Sequence, residues 1–349
     1  MHSAEIERWL AESDAAALAG LYREADNVRR LRVGDQVHLR GLIEISNVCA
    51  RACAYCGLRA ANAKLTRYKM PAPEIVECAH AAFALGYGTV VLQAGESRTI
   101  AADWMADIVR QIKSETPLAV TLSLGERSLE ELGLWRKAGA DRYLLRFETS
   151  DADLFRRIHP PLPGGFSDRI ALLAGLRDKG YEVGSGVMTG IPGQTYASLA
   201  RDIELFRDLD LDMIGVGPYL PHPDTPLGRE FSGGGPRLGR QVPSTEEMVY
   251  KTIALTRLLC PRANIPSTTA LATINTRNGR ELGLMRGANV VMPNLTPARY
   301  RRHYEIYPNK ACIAETPADC SGCLRGRIAA IGRVPGVGPG NRQRETAHV

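Results

Sequence analysis

No stretch of the 349 residues reaches the roughly 18 consecutive apolar side chains that a membrane-spanning helix needs. The opening segment MHSAEIERWLAESDAAALAG carries Glu5, Glu7, Glu12 and Asp14, so it lacks the basic start and unbroken apolar run of a secretory signal. No membrane association and a cytoplasmic location are therefore expected. Aromatic residues are scarce, at 6%, and are not interleaved with basic clusters, which argues against a nucleic-acid partner. The net charge of +6 reads as a solvated basic surface. Between Val37 and Asn294 there is no low-complexity linker and no short-period repeat. What remains is an ordinary globular composition, 44% hydrophobic and 23% charged.

The eight cysteines are not spread as a disulfide framework. Cys49, Cys53 and Cys56 fall together, Cys312, Cys320 and Cys323 lie near the C-terminus, and Cys78 and Cys260 stand alone on helix-like stretches. In a reducing compartment such clustering points to metal binding.

Short β-branched runs alternate with helical patterns. Strands are expected at Val37–Ile45, Thr89–Leu92, Ala119–Leu122, Arg142–Leu145, Val183–Val187, Met213–Val216, Asn264–Thr268 and Asn289–Met292. Ser128 with Glu131, and Ser244 with Glu247, have capping-box spacing. Gly86, Gly139 and Gly180 sit where helix C-caps belong, each shortly before a strand. Eight such units fit an α/β fold, a (βα)8 TIM-type barrel over residues 37–294. An open doubly wound sheet is the alternative on pattern alone. Residues 1–36 read as N-terminal helices, and 295–349 as a C-terminal cysteine-bearing extension. Its end, GRVPGVGPGNRQRETAHV, has the Gly, Pro and charge of a poorly ordered tail.

The segment IEISNVCARACAYCGLR places C-x3-C-x2-C directly after the first strand, where barrel strands open onto the catalytic face. Three thiolates are one short of a structural zinc site, and no fourth Cys or His lies nearby in sequence. A 4Fe–4S cluster on three cysteines keeps one iron free for a substrate. Zinc completed by a distant ligand is the other metal reading. Other strand ends supply more candidates. Gln93-Ala94-Gly95-Glu96 follows the second strand. In DRYLLRFETSD, period-two alternation turns Arg146 and Glu148 toward the mouth. GSGVMTGIPGQT offers Gly186, Gly190 and Gly193 for close backbone approach to a ligand, but lacks the Lys-Ser/Thr pair of a phosphate loop. His222 in GPYLPHPDTPL reads equally as a loop hydrogen-bonder or a catalyst.

C-x3-C-x2-C with an aromatic, Tyr55, before its last cysteine resembles the signature of the radical SAM superfamily. The resemblance implies a 4Fe–4S cluster whose open iron chelates S-adenosylmethionine and reductively cleaves it to a 5′-deoxyadenosyl radical. It implies Tyr55 and the Gly190 loop near the adenine. The Gln93–Glu96 segment resembles the motif that receives the methionine ammonium, through backbone carbonyls at Gln93 and Gly95 and the acid of Glu96. Glu148 is then suited to the ammonium or ribose, and Arg169 to the carboxylate.

VHLRGLIEISNVC, VVLQAGE, VTLSLGE, GADRYLLR, GIPGQT, GPYLPHPDTPL, IPSTTA and ANVVMPNLTP together resemble the HydE family, the radical SAM maturases of iron–iron hydrogenase. This resemblance implies a substrate cavity lined by Thr121, Arg146, Thr268, Thr269, Met292 and Tyr304. It implies a substrate that is a small molecule or organometallic complex, a cysteine-bound iron dicarbonyl cyanide. It also implies a reductant such as flavodoxin or ferredoxin, and other hydrogenase maturases as partners. Cys312-x7-Cys320-x2-Cys323 resembles the second-cluster motif of some members, a 2Fe–2S site that needs one more ligand here. A vestigial or zinc-binding knuckle is the other reading. Phe147 departs from the family pattern, which has His there. Biotin synthase carries a YNHN-type segment where RFET stands; methylornithine synthase shares barrel and triplet and stays open as a rival. A non-catalytic iron–sulfur carrier would need neither Glu148 nor Arg169.

Overall fold

The computed structural model describes residues 1–162, 167–232, 241–313 and 315–344. Strands β1 (Gln36–Ser46), β2 (Thr89–Ala94), β3 (Ala119–Ser123), β4 (Arg142–Leu144), β5 (Glu182–Thr189) and β6 (Met213–Pro218) pair in parallel and in chain order. Strand β7 (Val290–Val291) returns to pair with β1. Between β6 and β7, the expected strand Asn264–Thr268 is reduced to two bridges, Asn264 to Met213 and Pro266 to Val290. Pro266 has no N–H to give, so the ladder cannot continue through it. Thr268 instead caps the helix Thr269–Ile274, accepting the Leu271 N–H at 3.4 Å. These bridges close the curl of the sheet into a ring.

Each strand alternates. Its outward residues are apolar and packed under the helices, as with Ile43, Leu92, Leu122, Tyr143 and Ile214. The other set carries the polar side chains of β1 to β4 and the residues just after β4, Arg40, Glu44, Thr89, Gln93, Thr121, Arg142 and Arg146, among apolar ones such as Leu42, Val91 and Leu144. Phe147 belongs to the outward set, 1% exposed with its ring 5.7 Å from Phe206, so the departure from the family pattern faces the helix layer and not the mouth.

Helix punctuation follows the sequence with one shift. Ser128 and Glu131 form a reciprocal capping box, and Gly86, Gly139 and Gly180 all take positive φ. Before the helix Glu246–Leu259, however, the cap is Thr245, which accepts the Met248 N–H at 3.3 Å. Ser244 is drawn away to the Tyr219 carbonyl. At the N-terminus, Asp14 caps the helix Ala15–Val33 through the Ala17 N–H, and Ile6 and Leu10 of Ser3–Ala11 are wholly buried.

The tail corrects the expectation of poor order. Val334–Pro335 forms β8 on β1, and residues 336–344 run beneath the ring. There the Pro339 carbonyl accepts from Thr89 (3.0 Å) and Arg142 (2.9 Å), and the Gly340 carbonyl from Arg40 and Asn264 (3.0 Å each). The buried guanidiniums of Arg40 and Arg142 give the tail a fixed address that Gly/Pro content conceals. Residues 345–349 of that expectation lie outside the described residues. Among the described residues, no helix is long and apolar enough to cross a membrane.

Candidate functional site

The Cys49–Cys56 loop leaves β1 and folds over the C-terminal ends of the strands. Backbone hydrogen bonds seat it. The Gly95 N–H donates to Ser46 (2.9 Å), Ala50 N–H to the Glu96 carbonyl (2.7 Å) and Ala54 N–H to the Ile158 carbonyl (2.8 Å). Gly95 is required by this seating: a Cβ there would stand 2.5 Å from the Val48 carbonyl oxygen and 2.8 Å from Cys49 Cβ. Burial raises all three thiols, Cys53 to about 12, so they are protonated until a metal displaces the proton. Cys53 lies within electrostatic reach of Cys49, and Cys56 within reach of both, so the three sulfurs share one neighbourhood.

Beside the loop lies a closely bonded ionic network. Glu96 takes the Arg51 guanidinium and the Glu126 N–H (3.0 Å). Glu126 takes Arg51 (2.6 Å), Arg169 Nε (2.8 Å) and the Ser167 hydroxyl (2.6 Å). Burial works against the Glu126 charge, but the His159 contact and the Arg169 guanidinium overcome it and hold the carboxyl well below its ordinary range. His159, 1% exposed, has Nε2 at 2.9 Å from Arg169 and Nδ1 at 3.0 Å from Cys53 Sγ. Burial pushes its pKa down to about 4. Glu96, Glu126 and His159 have the donor types for a metal ion, but two guanidiniums already neutralise the carboxylates. Both Glu96 and Arg169 are thus partnered within the protein, and a ligand at Arg169 competes with Glu126.

In the mouth Thr121 Oγ1 and Arg146 Nε are buried without hydrogen bonds, and Glu148 Oε2 has an ion pair with Arg146 but no hydrogen bond. Such atoms cost about 1–3 kcal/mol each unless a ligand or water satisfies them. Glu148, 5% exposed, holds φ +62, an unfavourable conformation for a side-chain-bearing residue and one concentrated at functional sites. Arg146 stands 3.1 Å from Glu148 Oε2 and donates to the Val187 carbonyl at 2.5 Å. Tyr55 backs onto the apolar cluster of Ala54, Leu154, Ile158, Met188, Ile191 and Tyr219. Gln93 donates to the buried Tyr304 hydroxyl at 3.1 Å. Thr269 opens a helix beside Thr268, and Met292 is half-buried past β7.

Two expectations acquire a different physical basis. Gly190, with φ +80, is required because a Cβ would collide with the backbone of Ser244, and Gly186 because one would strike the Gly215 carbonyl. Chain packing accounts for both glycines. His222 accepts the Asp224 N–H at 3.1 Å and serves its own loop.

In the extension, the thiols of Cys312 (φ +62) and Cys320 lie beside each other and interact. That interaction, with Arg280 nearby, holds the Cys312 thiol below its ordinary range and raises Cys320. Cys323 is exposed on the same helix, Pro317–Ala330, as Cys320.

Sequence reasoning missed Arg51, Glu126, His159, Glu44 and Lys310. Lys310 is buried and ion-paired to Glu44, whose other oxygen accepts from Asn294 at 2.9 Å. Glu126 was within reach: it ends VTLSLGE, a strand-end acid like Glu96 and Glu148.

The family model described as the radical SAM superfamily matches residues 43–206. The chain is 45% identical to the [FeFe] hydrogenase maturase subunit HydE of Thermotoga maritima, covering 96% of this chain and 92% of that protein. It is 28% identical to 3-methylornithine synthase of Methanosarcina acetivorans, over 78% and 74% of the two chains. Among solved structures, methylornithine synthase superposes with a TM-score of 0.79 at 24% identity, covering 96% and 94%, a likeness of fold. The chain belongs to the radical SAM superfamily, within the family of the hydrogenase maturase HydE, and that membership brings a 4Fe–4S cluster and S-adenosylmethionine.

Proposed function

We propose that the chain matures iron–iron hydrogenase, binding its 4Fe–4S cluster through Cys49, Cys53 and Cys56 and acting on an organometallic substrate in the barrel mouth. The observation that carries the reading is the conjunction of the cysteine loop with the unpartnered Thr121 Oγ1 and Arg146 Nε and the strained, buried Glu148. The bound cluster supplies the electron that cleaves S-adenosylmethionine. The chain's own residues bind, orient and shield. Arg169 offers a guanidinium to the cofactor carboxylate in exchange for Glu126, while Glu148 accepts from the ammonium or ribose. The apolar ledge behind Tyr55 suits an adenine. Arg146 with Thr121, Thr268 and Thr269 gives donors to a carboxylate-bearing ligand such as a cysteine-bound iron complex. Met292 and Tyr304 complete the lining. Tyr304 lies near Cys56 as well as Glu44 and Gln93, so it spans cluster loop and cavity.

The residues 37–294 form the catalytic barrel in this reading. Cys312, Cys320 and Cys323 hold a 2Fe–2S cluster with one non-cysteine ligand, and a flavodoxin or ferredoxin delivers the electron. Other maturases supply and receive the iron complex. Incubation of reduced, reconstituted protein with S-adenosylmethionine is expected to yield 5′-deoxyadenosine, and Cys56→Ala to abolish it. Equal yields would sink the cluster assignment. Restoration of hydrogenase activity in a strain lacking its HydE tests the substrate. Intact 5′-deoxyadenosine formation without restoration would redirect the reading to a methylornithine synthase-like reaction.

A further inference from the structure

Among the described residues, His159 makes a side-chain hydrogen bond to a sulfur of the triplet, Nδ1 standing 3.0 Å from Cys53 Sγ. It follows the helix Ala152–Ile158, whose Ile158 carbonyl accepts from Ala54 N–H, so imidazole and loop are tied together one residue from either contact atom. The opposite ring nitrogen, Nε2, lies 2.9 Å from Arg169 Nη2. Glu126 Oε1 lies farther from the same nitrogen, at 3.4 Å. A guanidinium has only donors, so at this closer contact Nε2 accepts and the ring proton is on Nδ1. Arg169 is itself braced by Glu126 at 2.8 Å and by the Arg146 carbonyl at 2.6 Å. The sulfur leads to the same assignment, because an iron-bound thiolate has lone pairs and no proton. An Nδ1 lone pair facing it would be repelled.

We propose that His159 is a positioning residue that donates an N–H···S hydrogen bond to Cys53 and makes the cluster easier to reduce. This rests on the reading that Cys53 is a cluster ligand. The bond withdraws electron density from the sulfur, and the reduced cluster, carrying the extra electron, gains more from it than the oxidised one. Hydrogen bonds to ligand sulfurs are among the determinants of iron–sulfur potentials.

The test uses reconstituted full-length protein, with four-iron content and the spectrum of the reduced cluster recorded first. His159→Leu removes the donor; His159→Asn, of the same shape, keeps an N–H. At a fixed applied potential, the reduced-to-oxidised ratio of the Leu variant should fall about tenfold, a shift of about 59 mV for a one-electron couple. The Asn variant should fall by less than about threefold on the same electrostatic grounds. Equal ratios in wild type and the Leu variant, or equal falls in both variants, would overturn the proposal. A second measurement needs no variant. Wild-type protein labelled with 15N-histidine should show a weak histidine nitrogen coupling in the pulsed EPR spectrum of the reduced cluster, and its absence would also overturn it. Wild-type protein that assembles no four-iron cluster would instead bring down the underlying ligand assignment, a distinguishable failure.

Discussion

Asp202 is wholly buried on the helix Tyr196–Asp208, where Oδ1 accepts both the Ser150 N–H at 2.5 Å and its hydroxyl at 2.6 Å. It thereby holds the turn that follows Glu148 in its strained conformation. Burial raises its pKa from 3.8 to about 7 against those hydrogen bonds. The sign follows from linkage. Between the two values the folded chain keeps a proton that the unfolded chain releases, so stability is highest at low pH and is lost as pH rises through about 7. The shift corresponds to about 4 kcal/mol. Denaturant unfolding at pH 5 and pH 8 should show about 2–3 kcal/mol of this decline in the wild type, the rest falling below pH 5. Asp202→Asn keeps an acceptor for Ser150 and removes the charge, so its profile should be markedly flatter. The same slope in both proteins would mean that another group carries the dependence.

The loop and strand ends that form the site make a different demand, for close backbone approach. Gly95→Ala puts a methyl group 2.5 Å from the Val48 carbonyl, which is backbone and cannot turn aside. The Cys49 end of the loop must lift. Iron content after reconstitution is expected to fall by more than about half, with apo-protein melting shifted by only a few degrees, since the cost of a local loop displacement stays near 1–2 kcal/mol. Full iron content in this variant would refute the seating argument. That glycine was visible in the sequence as part of Gln93–Glu96, and the strand ends bearing Arg146 and Glu148 were visible from alternation alone. The local signals were sufficient for β1 to β6 because each is a short apolar run between helix caps. They failed at Asn264–Thr268, where Pro266 interrupts the ladder, and at Ser244, whose hydroxyl is captured by Tyr219. They failed again for Arg51, Glu126 and His159. The importance of these three lies in one another and in Cys53, 106 residues from His159 along the chain, and spacing carries no trace of such a pairing.

Across the whole molecule the C-terminal tail distinguishes the two ends of the barrel. The mouth leaves Thr121 Oγ1 and Arg146 Nε without hydrogen bonds; at the floor the C-terminal tail supplies acceptors to the buried guanidiniums of Arg40 and Arg142, with Arg40 Nε still unpaired. Gly88 has no room for a side chain because the Gly338 carbonyl lies against it. Arg142 is bound by Thr89 at 3.0 Å, by Glu182, by the Pro339 carbonyl and by Asn341. Arg342 and Arg344 reach Asp210 and the wholly buried Asp212, at 2.6 Å and 2.7 Å respectively for their shortest contacts. Deleting residues 336–349 strips carbonyl acceptors from Arg40 and Arg142 and two of the three guanidiniums that meet Asp212, leaving Arg177 at 3.5 Å and letting water enter beneath the ring. Hydrogen bonds to charged groups contribute about 1.5–3 kcal/mol each. The loss of several at once is a large share of the roughly 5–15 kcal/mol that holds a folded domain. The deletion is therefore expected to lower the melting temperature by about 10 °C or more. Arg344→Ala, which removes a half-exposed partner of an aspartate also met by Arg342, should cost far less, within about 1 kcal/mol. A truncated protein that melts with the wild type would show that the floor is closed by the strands alone, and that the tail's carbonyls merely replace water.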